Sequence, residues 1–424
     1  MKYRLVFLYL LLSVSYSASA VHAEGVKPAE SLTQLVDTAL AQNPELKASA
    51  ARWEMFRNRA AQAGSFEDPM LMLKLQNGVV RDPLDFSRDG MTQKVIGISQ
   101  QIPYGGKRKL REEVATFEAE TYRWNLEERK LELARMVKET YYQIFFIDKA
   151  LAIVDKNIKI MDDFIVLAET KYTVGQGAQQ DIYKAMLERS RMLDMRITVE
   201  QQRKSLAVNL NSLLYRPLDT RVGTVADFKL TPLDLSADQL RDIAEENRPL
   251  LKGIRAQLEK GRAGHELARK AFYPDFNLSF EYMQRERAMG SDGSDMYSLG
   301  VTFNLPVRKE RLQGMLAESS SEVTMSGEEL NGARNTIASG IADLLVQLER
   351  RRKLVELYKT GIIPQAGQSL ESSVIGYRVN KVDFLALLDS SVILLNYERE
   401  YYDSMADYQM KLAQLEALIG KDLQ

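Results

Sequence analysis

Apolar residues along this chain keep two rhythms, and the chain runs through both of them twice. From residue 105 to 172 the sequence is rich in Glu, Lys, Arg, Leu and Ala. Within it Leu151, Val154, Ile158, Met161, Ile165, Ala168 and Tyr172 recur at alternating spacings of three and four. That is the heptad seam of a coiled coil. Some 68 helical residues make a rod of roughly 100 Å, which no compact globule needs. Gly175-Gln176-Gly177 predicts a turn, and a return helix runs from Asp181 to about Tyr215, where Arg216-Pro217 stops it. In the second half Ile337, Ile341, Leu344, Leu348, Val355, Tyr358 and Ile362 lead outward. A turn falls near Asn380, and Leu385, Leu388, Val392 and Leu395 lead back. Pro364 is expected to kink this second rod, because it removes a backbone donor and its ring crowds the preceding turn. A further helix is predicted over 31–66, opened by Ser31 and interrupted only by Pro44.

The other rhythm has period two. Phe276, Leu278, Phe280 and Tyr282 alternate with Asn277, Ser279, Glu281 and Met283, and Tyr297, Leu299, Val301, Phe303 and Leu305 with Ser298, Gly300, Thr302 and Asn304. The first half is less regular: Leu71, Leu73 and Leu75 oppose Met70, Met72 and Lys74, while Ile96, Ile98 and Ile102 share a face. The predicted strands are 69–77, 92–102, 274–284 and 296–305. Each has the length of a tilted strand crossing a bilayer, apolar on one face and polar on the other, with Tyr and Phe near the ends. Leu71, Leu73, Ile96, Ile98, Phe276, Leu278, Phe280, Leu299, Val301 and Phe303 are therefore expected to face lipid. A half-buried strand in an ordinary sheet has the same period. The membrane reading rests on four such segments paired across the polar loops Asn77–Gly90 and Arg285–Asp295. Four strands cannot close a barrel, and an open edge in lipid leaves backbone groups unpaired. Several chains must pool their strands, and the pattern alone does not choose between two and three.

The halves also echo each other in detail, roughly 205 residues apart. Asn43-Pro44-Glu45-Leu46-Lys47 answers Asn247-Arg248-Pro249-Leu250-Leu251-Lys252, and Tyr172-x-Val174 answers Tyr377-x-Val379. The expected division is a first repeat at 24–216, a connector at 217–236 and a second repeat at 237–424. Ahead of them, Lys2 and Arg4, an apolar run from Leu5 to Val14 and the small residues around Ala20 and Ala23 form a secretory signal, 1–23. The chain has no cysteine, which excludes disulfides, thiolate metal sites and an acylated N-terminal cysteine. His265 is the one histidine beyond the signal, so no cofactor or His-based metal or catalytic site is expected. A net charge of −1 gives no case for nucleic acid.

At this point the residues resemble the TolC family of outer-membrane efflux channels, over nearly the whole mature chain. The resemblance is carried by Asn43-Pro44, by Gln101-Ile102-Pro103-Tyr104-Gly105-Gly106-Lys107-Arg108 and by Tyr172-Thr173-Val174-Gly175-Gln176-Gly177-Ala178-Gln179-Gln180-Asp181. Pro364-Gln365-Ala366 and Tyr377-Arg378-Val379-Asn380-Lys381-Val382-Asp383-Phe384-Leu385 carry it in the second half. Each piece is weak alone; their order and duplication are specific. The wording is closest to the branch paired with heavy-metal exporters of the resistance-nodulation-division type. The resemblance implies a mainly α chain with a small β part, built of long antiparallel coiled-coil hairpins plus four membrane strands. A homotrimer would close a 12-stranded barrel in outer-membrane lipid and a 12-helix tunnel through the periplasm. A periplasmic adaptor and an inner-membrane pump would complete the conduit. Many members of the metal branch carry a lipidated cysteine, which is absent here, and Asn380 replaces the glycine usual at the second turn.

In the family the two hairpin tips face the adaptor and close the tunnel, which maps onto Val174, Gly175 and Asp181 and onto Val379, Asn380 and Asp383. Both Asp also read as caps of the returning helices. Met70, Met72, Met283 and Met296 carry thioethers that suit soft cations, but as flexible apolar fillers they are assigned no metal site. Lys107-Arg108-Lys109 with Arg111 reads as a solvated helix start just inside the membrane. The resulting reading is a passive exit duct of a tripartite efflux system, not an enzyme, with metal ions as one candidate cargo. The alternative is a secreted coiled-coil adaptor or structural protein without a barrel.

Overall fold

The computed structural model describes residues 30–288, 290 and 292–423, so the signal read at 1–23 lies outside the described residues. Ser31 opens α1 (Leu32–Gln42): its hydroxyl accepts from the Gln34 amide while the Gln34 side chain accepts from the Ser31 amide. The helix expected over 31–66 is two helices. Asn43 ends the first, and its side-chain oxygen caps α2 (Pro44–Ala63), where Pro44 occupies a first-turn position that needs no donor. After β1 (Met70–Gln76) and β2 (Gln93–Ile102) comes α3 (Lys107–Thr173), whose 67 residues span about 100 Å. The return helix α4 is Gln179–Leu213. The order then recurs as α5 (Ala237–Asn247), α6 (Pro249–Lys270), β3 (Phe276–Arg285), β4 (Met296–Phe303), α7 (Lys309–Leu357), α8 (Ile363–Arg378) and α9 (Phe384–Ile419). Ser236 and Gln239 rebuild at α5 the reciprocal cap of α1. The distortion expected at Pro364 takes the form of a π-helical turn, Tyr358–Ile362, between α7 and α8. Residues 217–236 form no regular element, and Phe228, Leu230, Leu233 and Leu235 pack them against the helices.

The coiled-coil seam of α3 is rotated from the expected one. Val154, Met161 and Ala168 are buried as read, but Ala150, Asn157, Phe164 and Lys171 take the alternate positions. Leu151, Ile158 and Ile165 are only half-buried, and Tyr172 is exposed. The cause is that α3 packs on two partners, α4 and α9, and its buried stripe turns towards the cleft between them. Ile153, Met161, Phe164, Ala185, Met192, Tyr377, Leu387 and Leu395 fuse both hairpins into one apolar cluster. In α7 the expected Ile337, Ile341, Leu344, Leu348 and Val355 are all buried. Arg351 continues that seam as a cation paired with Asp407 at 2.6 Å.

The four strands form one antiparallel sheet in the order β1-β2-β3-β4, so the β2–β3 pairing joins the two halves. The helices follow the same order, α2 on α3, α3 on α6 and α6 on α7. Both β1 and β4 are edges, each with one ladder only.

Candidate functional site

The sheet sorts its side chains into two faces. Leu71, Ile98, Phe280 and Leu299 are direct register partners across all four strands, and Leu73, Ile96, Tyr282 and Tyr297 form the next row. Leu278 stands opposite Val301 and Phe276 opposite Phe303, so all ten residues read as lipid-facing share one face. Leu71, Leu73, Leu299 and Val301 are 60–76% exposed in the single chain, which leaves a continuous apolar surface uncovered. Aromatic pairs bound it: Tyr282 with Tyr297 at the loop end, and Phe276 with Phe303 at the helix end. Three strand residues on this face are polar: Lys94 and Gln284 at its loop end, and Gln100, whose amide is satisfied by the Glu67 and Gln101 carbonyls. The opposite face carries Ser99, Ser279, Glu281, Ser298 and Thr302. Met70, Met72, Met283 and Met296 all lie on this polar face.

Below the sheet the basic run departs from the sequence reading. Lys107 is buried: its ammonium donates to the Tyr273 carbonyl and to Asp275 Oδ1, each at 2.8 Å. The Tyr104 amide donates to the same Asp275 oxygen at 2.8 Å. The Arg108 guanidinium donates to the Gly64 carbonyl and lies 3.5 Å from the Phe66 ring centre. These contacts brace the junction between strands and rods.

At the far end the two turns are built alike. In the first, the Gln176 amide donates to the Lys171 carbonyl at 2.8 Å and the Gly175 amide to the Tyr172 carbonyl at 3.0 Å, with Gly175 at φ +75°. In the second, Lys381 donates to Gly376 at 2.8 Å and Asn380 to Tyr377 at 3.2 Å, with Asn380 at φ +61°. Each is a Schellman turn, and Asn380 takes the left-handed position where its twin is glycine. Val174 and Val379 point into solvent.

The two aspartates part company. Asp383 caps α9, accepting from the Ala386 amide at 2.7 Å. Asp181 does not cap α4, which starts at Gln179 with Ala178 before it. Instead it stands in the first turn, where the helix dipole favours an anion, and accepts from the Tyr377 hydroxyl at 3.3 Å. Tyr377 is buried, and burial together with the Asp181 charge pushes its hydroxyl up to about 12. The link thus keeps its proton at neutral pH. Because the folded tip holds that proton more tightly than an unfolded tyrosine, its contribution is complete below about pH 10 and lost towards pH 12. Tip leak in bilayer recordings is expected to stay flat to pH 10 and rise above it; a rise centred near pH 7 would contradict this.

Tyr377 and Lys171 were absent from the tip residues read in the sequence. A signal existed for Lys171, since 150, 157, 164 and 171 continue one heptad position of α3 with polar residues at two of its four places. Among the described residues no group of three or more His, Asp or Glu converges as a metal site.

A sheet apolar on its outer face and open at both edges, standing on two paired rods with closed turns, defines a membrane-anchored tunnel segment. The family described as Outer membrane efflux protein matches residues 35–214 and 240–421. The chain belongs to that family. The cobalt-zinc-cadmium resistance protein CzcC of Cupriavidus metallidurans is 20% identical over 394 residues, 92% of this chain and 90% of that one. The pyoverdine export outer membrane protein OpmQ of Pseudomonas aeruginosa is 22% identical over 407 residues, 92% and 84% of the two chains. Among solved structures, the outer membrane protein VceC of Vibrio cholerae superposes with a TM-score of 0.79 at 18% identity, covering 93% of this chain and 97% of that one. The protein is an outer-membrane exit duct of an efflux system, with its helical rods forming a tunnel on the periplasmic side. The alternative of a soluble adaptor falls away.

Proposed function

We propose that three copies of this chain join β4 of one to β1 of the next, closing a barrel of twelve strands over a tunnel of twelve long helices. The observation that carries this is the exposed apolar face with an unpaired edge on each side, a combination lipid does not tolerate in a lone chain. Residues 24–216 and 237–424 act as two copies of one structural repeat bridged by 217–236. The ten apolar strand residues meet lipid. The tips around Val174, Gly175, Asp181, Val379, Asn380 and Asp383 form the closed end and the surface that receives a periplasmic adaptor, with the pump beyond it.

The duct itself does no chemistry. That reading is supported by the family to which the chain belongs, whose members are efflux channels, and its work is to open and close. Divalent transition-metal cations are the cargo class, supported by the likeness to a cobalt-zinc-cadmium resistance protein over most of both chains. Deleting the gene in its host should sensitise cells to cobalt, zinc and cadmium at unchanged antibiotic tolerance. Sensitivity to antibiotics alone would remove the metal assignment and leave the duct.

A further inference from the structure

We propose that Lys171 and Asn380 form a tether that holds the tip of this duct shut, locking the first hairpin to the second within each chain. The proposal rests on the reading of the tips as the closed end. Lys171 lies at the last seam position of α3 and is buried at 6% exposure, among the least exposed charged residues described. Its ammonium donates to the Asn380 side-chain oxygen and to the Tyr377 carbonyl, both on the other hairpin, and sits 4.5 Å from the Tyr377 ring centre. Gly177 closes over its stem: a Cβ there would stand 3.0 Å from Lys171 Cβ. The first hairpin thus supplies the cation and covers it, and the second supplies both acceptors.

The two turns make this possible by breaking their own symmetry. Lys171 and Gly376 hold the same place in their Schellman turns, each giving the carbonyl that closes it, and Gly175 and Asn380 share the left-handed place. One hairpin pairs a lysine with a glycine, and the other pairs a glycine with an asparagine. Asn380 therefore does more than tolerate a left-handed backbone. Its side chain is the acceptor that glycine cannot provide.

The energetics suit a gate. A buried ammonium is held only while its acceptors stay in place. Separating the hairpins breaks the two hydrogen bonds but returns the charge to water, which offsets part of the cost. The tether therefore favours the closed state by less than its two hydrogen bonds alone would, and its release strands no buried charge.

Asn380→Gly isolates the claim, because glycine adopts φ +61° without strain and removes only the acceptor. In planar bilayers the trimeric Asn380→Gly channel should open about tenfold more often than the parent, the size expected for one lost charge-assisted hydrogen bond. Lys171→Met should open at least as often, since it also removes the bond to the Tyr377 carbonyl. The double variant should open no more than Lys171→Met alone, and Asn380→Asp should remain shut. Parental opening in Asn380→Gly trimers, or full additivity in the double variant, would overturn the tether. Asp181→Ala separates this from the underlying reading. If Asp181→Ala opens the channel and Asn380→Gly does not, the tether is wrong and the tip is still the gate. If neither changes conductance, the closed end lies elsewhere and both ideas fall.

Discussion

Replacing Leu299 or Val301 with Arg is expected to cost the assembled barrel about 2–4 kcal/mol, while Arg at Ser298 or Thr302 costs a fraction of that. The difference follows from register alone. Leu299 continues the row Leu71, Ile98 and Phe280, and Val301 pairs with Leu278, all on the uncovered apolar face near the middle of the strands. An Arg there must place its guanidinium in hydrocarbon or drag water in with it. Ser298 is the register partner of Glu281 and Thr302 that of Asn277, on the opposite, polar face, which the proposed barrel turns to its lumen, where a cation stays hydrated. The measurement is the yield of detergent-extracted trimer and its resistance to urea, compared across the four single variants. Equal tolerance of Arg on both faces would mean that the sheet does not meet lipid.

The second large effect lies at the junction of strands and rods. Asp275→Ala leaves the Lys107 ammonium buried with only the Tyr273 carbonyl, and deprives the Tyr104 amide of its acceptor. With side-chain exposures of 7% and 19%, the pair is shielded enough for its rupture to cost about 3–5 kcal/mol. Lys107→Met together with Asp275→Leu should be much milder than Asp275→Ala alone, because no charge is then stranded. Thermal dissociation of the trimer reads both. If the double variant loses as much stability as Asp275→Ala alone, Lys107 and Asp275 are not coupled and the brace is misread.

Much of the fold was legible because its rhythms are long. The strands stand within about two residues of their expected bounds, and the faces assigned to Leu71, Ile98, Phe280 and Leu299 share one side of the sheet, since a period of two leaves only two choices. What escaped was set by tertiary partners. The α3 seam turned by one position because α9 packs beside α4, and periodicity within one helix carries no trace of a second neighbour. Asp181 read as a cap because Asp precedes an apolar run, yet the helix starts two residues earlier and frees its carboxylate for Tyr377. Lys107 read as a solvated charge, as most lysines are, and the expected seam passed over Lys171. Their burial depends on Asp275, Asn380 and Tyr377, residues far away in sequence.

The central claim is that the open edges of the sheet meet between chains. The protein has no cysteine, so paired cysteines report on that contact without background. One cysteine goes into β1 at Met70, Met72 or Lys74 and one into β4 at Met296, Ser298 or Gly300, all on the polar face that the proposed barrel turns to its water-filled lumen, within reach of an oxidant. Within one chain these strands are three spacings apart, about 14 Å, too far for a disulfide. Oxidised in outer membranes, at least one pairing is expected to give covalent trimers on denaturing gels. Monomers at every pairing, with the protein intact in the membrane, would contradict the assembled barrel.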